Sequence, residues 1–204
     1  MNNGRGMLIV LSGPSGSGKG TIIRQLLQER DDTVLSVSVT TRAPRPGELE
    51  GTHYFFRTRE EFEDMIRKDR LLEYAEYNGN YYGTPEDAVR RVLAEGKNVL
   101  LEIEVQGAEQ VMNHRSDLVS VFITIPSMTE LERRLRERGT ESEKTIGNRM
   151  AVARRELKRA FRYDYVVLND EVPLAVRRIH TIIDAENMRY ARMERTVMEV
   201  LENA

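Results

Sequence analysis

The sequence predicts an α/β fold, a parallel sheet flanked by helices, on two observations. Short apolar runs at residues 7–11, 99–103, 118–125 and 165–168 alternate with helical patterns, and a glycine-rich loop follows the first run directly. A strand covered on both faces needs a continuous apolar run, and these four have that form. Helical spacing marks residues 19–29, 85–95, 108–114, 128–138 and 145–161. The rhythm is that of a doubly wound sheet. Residues 35–82 break it, with β-like segments at 34–39, 53–56, 72–77 and 80–82, Pro44, Pro46 and one helix near 59–68. This stretch reads as an inserted α+β subdomain. A charged, glycine-led break at 139–144 separates two Arg-rich helices and reads as a hinge or lid. Residues 174 to about 202 read as one long charged helix with Ile179, Ile182, Ile183, Met193, Val197 and Val200 as its apolar stripe. Such a helix docks on its own core or on a second subunit, so a homo-oligomer stays open. The expected division is a single domain: a core of residues 1–34 and 85–204, an insert at about 35–84 and a lid at about 136–150.

Composition narrows the classes of function. A chain of 204 residues, 40% hydrophobic and 31% charged, can bury a sizeable core. A net charge of −2 provides no basic field for nucleic acid. The absence of cysteine excludes disulfides, thiolate zinc sites and a cysteine nucleophile. No apolar run approaches the roughly 20 residues of a membrane span, and no signal-peptide core is present, so a cytoplasmic chain without a membrane partner is expected.

The loop after the first run reads Gly13, Pro14, Ser15, Gly16, Ser17, Gly18, Lys19. Strand, glycine-rich loop and helix in this order form a P-loop, whose backbone N–H groups cradle phosphate oxygens at a helix N-terminus. Lys19 is placed to reach the β- and γ-phosphates, so nucleoside triphosphate binding is expected. Gly20 stands where such loops usually carry the hydroxyl that ligates Mg²⁺, with Thr21 following. One helical step turns a side chain by about 100°, so Thr21 does not simply replace it. Phosphates, waters and carboxylates are then left to hold the metal, which suits the hydration of Mg²⁺.

The insert carries Ser38-Val39-Thr40-Thr41-Arg42-Ala43-Pro44-Arg45-Pro46-Gly47-Glu48 and Gly51-Thr52-His53-Tyr54-Phe55-Phe56. Taken alone, two of these are surface arginines, and Tyr54 and Tyr82 are half-buried tyrosines. Glu73 alone reads equally as a solvated strand-end glutamate. With Asn80-Tyr81-Tyr82-Gly83-Thr84, Val105-Gln106-Gly107 and Arg138-Gly139-Thr140-Glu141, however, the chain resembles guanylate kinase from about residue 6 to residue 185. The resemblance implies a P-loop NTPase core, an insert that binds a nucleoside monophosphate, and transfer of the γ-phosphoryl group of ATP to GMP, with dGMP a further acceptor.

The resemblance also implies roles. Arg42, Arg45, Tyr54 and Tyr82 would hold the GMP phosphate, which guanidinium forks clamp bidentately. Glu73 would accept from guanine N1–H and N2–H₂, with Ser38 and Thr84 as hydroxyl partners; adenine lacks the N1 proton. Glu102 would face the hydrated shell of Mg²⁺ through water, and Glu104 would contact the guanine side. Both are taken to alternate along the end of one strand, and both stand where many relatives have aspartate. Gly13 to Thr21, Arg134, Arg138 and Asn169 would contact ATP. Lys19, Arg42, Arg138 and Arg149 would neutralise charge during transfer. The intact loop speaks against a non-catalytic scaffold module. The guanine-side residues Ser38, Glu73 and Thr84 speak against a kinase for another phosphorylated acceptor.

Overall fold

The computed structural model describes residues 5–137 and 142–203. In chain order the elements are β1 (Leu8–Ser12), α1 (Lys19–Glu29), β2 (Thr33–Leu35), β3 (Val39–Thr40), β4 (Phe55–Phe56), α2 (Arg59–Arg67), β5 (Leu71–Tyr77), β6 (Asn80–Pro85) and α3 (Glu86–Ala94). There follow β7 (Asn98–Glu102), α4 (Val105–His114), β8 (Leu118–Thr124), α5 (Met128–Glu137), α6 (Glu143–Leu157), β9 (Tyr165–Leu168), α7 (Val172–Asn187) and α8 (Tyr190–Glu202). Five strands make a parallel sheet in the order β2-β7-β1-β8-β9, as the apolar runs require.

All five residues of β1 are buried. Ile9 and Leu11 pack on one face with Ile22 and Leu26 of α1 and Ile179 and Ile183 of α7. Leu8 and Val10 pack on the other with Leu93, Leu101, Val111 and Phe122. Helices therefore cover both faces, and the loops that follow β1 and β7 emerge side by side at the C-terminal edge, where ligands bind in such sheets.

A second sheet, β4-β3-β6-β5, is built from residues 39–85. Its β5–β6 hairpin turns at Asn78-Gly79, both at positive φ (50° and 76°), the geometry of a tight turn between twisted strands. Thr58 and Glu61 form a reciprocal capping box that starts α2. Gln110 of α4 bonds Tyr74 twice, its Oε1 accepting from the Tyr74 N–H and its Nε2 donating to the Tyr74 carbonyl, each at 3.1 Å. That double bond fixes β5 on α4.

Several expected bounds are corrected. The single segment at 34–39 divides. Residues 33–35 pair with β7 in the main sheet, whereas Val39 pairs with Phe55 and Gly83 in the second. The helix expected at 108 begins at Val105, because the Ala108 N–H already donates to the Glu104 carbonyl. The helix expected over 145–161 runs Glu143–Leu157 and is followed by a separate 3₁₀ turn. The long C-terminal helix is two helices, broken where Arg189 turns extended (φ −60°, ψ 138°). The break falls where core contact ends: Ile179, Ile182 and Ile183 are buried, whereas Val197 and Val200 are exposed. Glu186 is buried at the same point, accepting from the Tyr165 hydroxyl at 2.6 Å. Residues 138–141, including much of the expected hinge, lie outside the described residues.

Buried Asn98 ties three strand starts together. Its Oδ1 accepts from the Met7 N–H at 2.9 Å, and its Nδ2 faces Asp32 and Thr33 at 3.4 Å. Asn98→Ala is expected to lower stability by about 1–3 kcal/mol, because it leaves a buried backbone donor unpaired. A urea-denaturation midpoint equal to that of the parent would show that water replaces the amide.

Candidate active site

The phosphate loop is held from several sides. Gly13 leaves β1 at φ +144°, and a Cβ there would lie 2.2 Å from the Ile123 carbonyl oxygen of β8, so no other residue fits. At Gly18, φ is +90° and a Cβ would meet the Asn169 amide nitrogen at 2.3 Å. That amide donates to the Ser17 carbonyl at 2.7 Å, and the Asn169 carbonyl accepts from Arg134 at 3.0 Å. Arg149 of α6 donates to Ser15 Oγ at 2.9 Å. Lys19 Nζ reaches back to the carbonyls of Gly13 (2.5 Å) and Pro14 (3.1 Å), so its charge lies within the curl of the loop. Arg134 is also paired with Glu130 at 2.7 Å.

Beside this loop lies a cavity of about 320 Å³, lined by Lys19, Gly20, Thr21, Arg24 and Glu102 among others. Glu102 ends β7, and its Oε1 lies 3.8 Å from where a Gly20 side chain would begin. Gly20 therefore leaves open space between the loop and a carboxylate. Glu102 and Glu104 do not continue one strand as expected: β7 stops at Glu102, and Glu104 is the N-cap of α4.

A second cavity, of about 290 Å³, opens between the two sheets. Ser38, Tyr54, Glu73, Tyr82 and Glu104 of the expected acceptor set line it, together with Glu102, which was expected on the metal side; Arg42, Arg45 and Thr84 are not among its lining residues. Glu73 is buried, and burial pushes its carboxyl above the usual range, with the Thr84 hydrogen bond opposing. The Thr84 hydroxyl donates to Glu73 Oε1 at 2.7 Å. Its proton lies on the carboxylate, and Thr84 thereby orients Glu73.

At the rim, Arg42 donates to Glu48 Oε1 and to the Ala43 carbonyl, each at 2.8 Å, with its guanidinium 5.3 Å above the Tyr54 ring. Glu48 Oε2 accepts from the Arg45 N–H at 2.8 Å, so one carboxylate clips both ends of the arginine loop. The Arg42 bond, then the Arg45 backbone bond, holds Glu48 below the usual carboxylate range. The Arg45 side chain is exposed. Arg138 lies outside the described residues.

Sequence reasoning assigned nothing to Glu48, Arg24 or Glu156, and did not show that Asn169, expected at ATP, also fixes the loop through its bond to Ser17. Glu156 of α6 is a half-buried acid raised chiefly by burial, with the Lys19 charge opposing and Glu104 adding. An acid three residues after Arg45 was the readable signal for Glu48; Asn169 and Glu156 gave none, because their partners are 152 residues away in one case and a different helix in the other.

A phosphate loop between β1 and α1, at the C-terminal edge of a parallel sheet and beside a second polar cavity, defines a P-loop NTPase fold. The family profile named guanylate kinase matches residues 5–186. A guanylate kinase of Desulfitobacterium hafniense is 53% identical over 192 residues, covering 94% of this chain and 96% of that protein. One from Bacillus anthracis is 52% identical over 203 residues, 99% of each. The crystal structure of guanylate kinase from Anaplasma phagocytophilum superposes with a TM-score of 0.71 at 37% identity, covering 94% of this chain and 91% of that one. The chain belongs to the guanylate kinase family.

Thr84→Val keeps the side-chain shape and removes only the bond to Glu73. The folded carboxyl already holds its proton more tightly than the unfolded one. Its contribution to stability is therefore present below the ordinary carboxylate pKa and is lost as pH rises through the raised value. In the variant Glu73 should titrate higher still in a carboxyl ¹³C NMR experiment. The stability deficit against the parent should widen with pH, to about 1–3 kcal/mol at neutrality. An unchanged Glu73 midpoint would count against Thr84 as the group that stabilises the charged form.

Proposed function

We propose that this chain catalyses ATP + GMP → ADP + GDP, with ATP phosphates on the loop of residues 13–21 and GMP in the cavity walled by Glu73. The observation that carries the assignment is Glu102, which lines both cavities. The two sites therefore meet at one carboxylate, where a γ-phosphoryl group and an acceptor phosphate would face each other. Residues 35–84 serve as the acceptor-binding part. A lid role for residues 136–150 is supported by Arg149, which already reaches Ser15. No helix among the described residues is long and apolar enough to cross a membrane, and a cytoplasmic enzyme suits nucleotide substrates.

The acceptor is already an oxyanion, so the reaction needs no general base. Catalysis reduces to alignment and charge neutralisation. Lys19 and the loop N–H groups meet the developing charge, and Arg149 and Arg134 add positive potential from the far side. Arg42 and Arg45 fix the acceptor phosphate, with Tyr54 and Tyr82 donating to its remaining oxygens. Glu73 reads guanine by accepting two adjacent N–H groups.

Kinases of this class generally use Mg²⁺. Among the described residues no three His, Cys, Asp or Glu side chains gather as a metal cage, and position 20 provides no hydroxyl. A lone carboxylate facing open space suits a cation that keeps most of its waters. Glu102 would hold Mg²⁺ through water, and the bound ion supplies further neutralisation of phosphate charge.

A coupled ADP-release assay with GMP, AMP, dTMP and a ribose bisphosphate as alternative acceptors tests the assignment, and strong preference for GMP is expected. Equal rates with AMP would overturn it. Lys19→Ala should keep the fold and lower kcat at least tenfold, since its charge acts on the transition state. A variant with more than about a tenth of parental kcat would remove Lys19 from the electrostatic role. Arg42→Ala should raise the KM for GMP by roughly one to two orders of magnitude, the loss of a charge-assisted bond, and leave the KM for ATP nearly unchanged. A rise confined to ATP would mean that the two sites are assigned in reverse.

A further inference from the structure

We propose that Gly107 is a positioning residue for base discrimination: the missing side chain leaves the space that the second carboxylate oxygen of Glu73 occupies, and so sets the direction in which that carboxylate faces the base. The proposal rests on the reading of Glu73 as the guanine acceptor. A Cβ built at Gly107 would lie 2.8 Å from Glu73 Oε2, 3.4 Å from Cδ and 3.5 Å from Cγ. Gly107 is the third residue of α4 and has no positive φ, so the backbone does not call for glycine there. Glycine in a helix is less favourable than alanine, and a helical glycine with ordinary dihedrals has a packing reason. Here the nearest atoms all belong to one side chain, Glu73.

The carboxylate is thereby held at both oxygens. Oε1 accepts the Thr84 hydroxyl at 2.7 Å, and Oε2 lies over the bare Cα of Gly107, at the wall of the cavity that both residues line. The strand cannot retreat to admit a methyl group, because Gln110, one turn along the same helix face, grips Tyr74 beside Glu73 with two bonds. What can give is the far end of the Glu73 side chain. A methyl group at 107 would swing the carboxylate about its own χ angles while the fold stays intact. Two adjacent acceptors aimed at N1–H and N2–H₂ would then be misaligned, whereas the phosphate loop lies elsewhere and would not sense the change.

The test is a double-mutant cycle on the full chain. Gly107→Ala should melt no lower than the parent, raise the KM for GMP at least tenfold and leave the KM for ATP within twofold. It should also narrow the preference for GMP over IMP, which lacks the 2-amino group, by at least fivefold. Glu73→Asp draws the carboxylate back by one methylene, so adding Gly107→Ala to it should raise the KM for GMP by less than threefold further. An equal rise in both backgrounds would show that the effect does not pass through Glu73 and would overturn the proposal. So would a Gly107→Ala variant with parental GMP kinetics. Glu73→Gln serves as the separate control: if GMP kinetics are unaffected by it, the guanine-acceptor reading fails and the proposal with it, whereas loss in Glu73→Gln alone rejects only the role of Gly107.

Discussion

Strand β1 has no face open to solvent, and the placement of the phosphate loop and of Glu102 beside it follows from that. With β7 and β8 paired to it in register and helices packed on both sides, its five residues are fixed in all three directions. The chain can leave only at the C-terminal edge, and it does so at Gly13, in contact with the β8 backbone. Glu102 ends the neighbouring strand at the same level, since Leu11 pairs with Glu102. The loop and the carboxylate it faces are thus set by one core and not by contacts between themselves. A scaffold of this stiffness places reacting groups to fractions of an ångström, which phosphoryl transfer by alignment demands.

Within that frame, three cations of the site have partners supplied by the protein. Lys19 rests on loop carbonyls, Arg42 on Glu48 and Arg134 on Glu130. Ion pairs open to solvent contribute little to stability. Their value lies in holding long side chains near the conformations that a phosphate would select. An incoming dianion competes with two protein acceptors for each of them, and the side chains are already ordered before it arrives. Glu73 is the opposite case. Its burial disfavours the charged form, and the Thr84 hydrogen bond offsets part of that.

The parallel sheet and the phosphate loop were legible because continuous apolar runs and a fixed glycine-lysine spacing leave few alternatives. The lining of the second cavity by Ser38, Tyr54, Glu73, Tyr82 and Glu104 was legible only through a family-specific block; single tyrosines and glutamates carry no such signal. Other features turn on contacts that local patterns do not encode. Nothing between Val34 and Val39 says that the first residues pair with β7 and the last with β6, because the choice is made by distant strands. The break at Met188 and Arg189 has no glycine or proline to announce it. The alternation of Glu102 and Glu104 suggested one strand, but helix α4 captured Glu104 as its cap. Thr84 was readable as a polar residue of the site, whereas the direction of its hydrogen bond depends on a carboxylate eleven positions back.

The break before α8 divides the chain in its response to perturbation. The family profile ends at residue 186, the buried Glu186 that closes the core side of α7. Beyond it α8 has thirteen residues and buries none of them. A helix of that length is marginal in water when little packs against it. Local fraying of α8 is therefore expected to cost less than opening of the sheet. Sequence change along α8 accordingly perturbs the sheet and the phosphate loop less than change in α7 would, since α7 places Ala175, Val176, Ile179 and Ile183 in the core and α8 places nothing there.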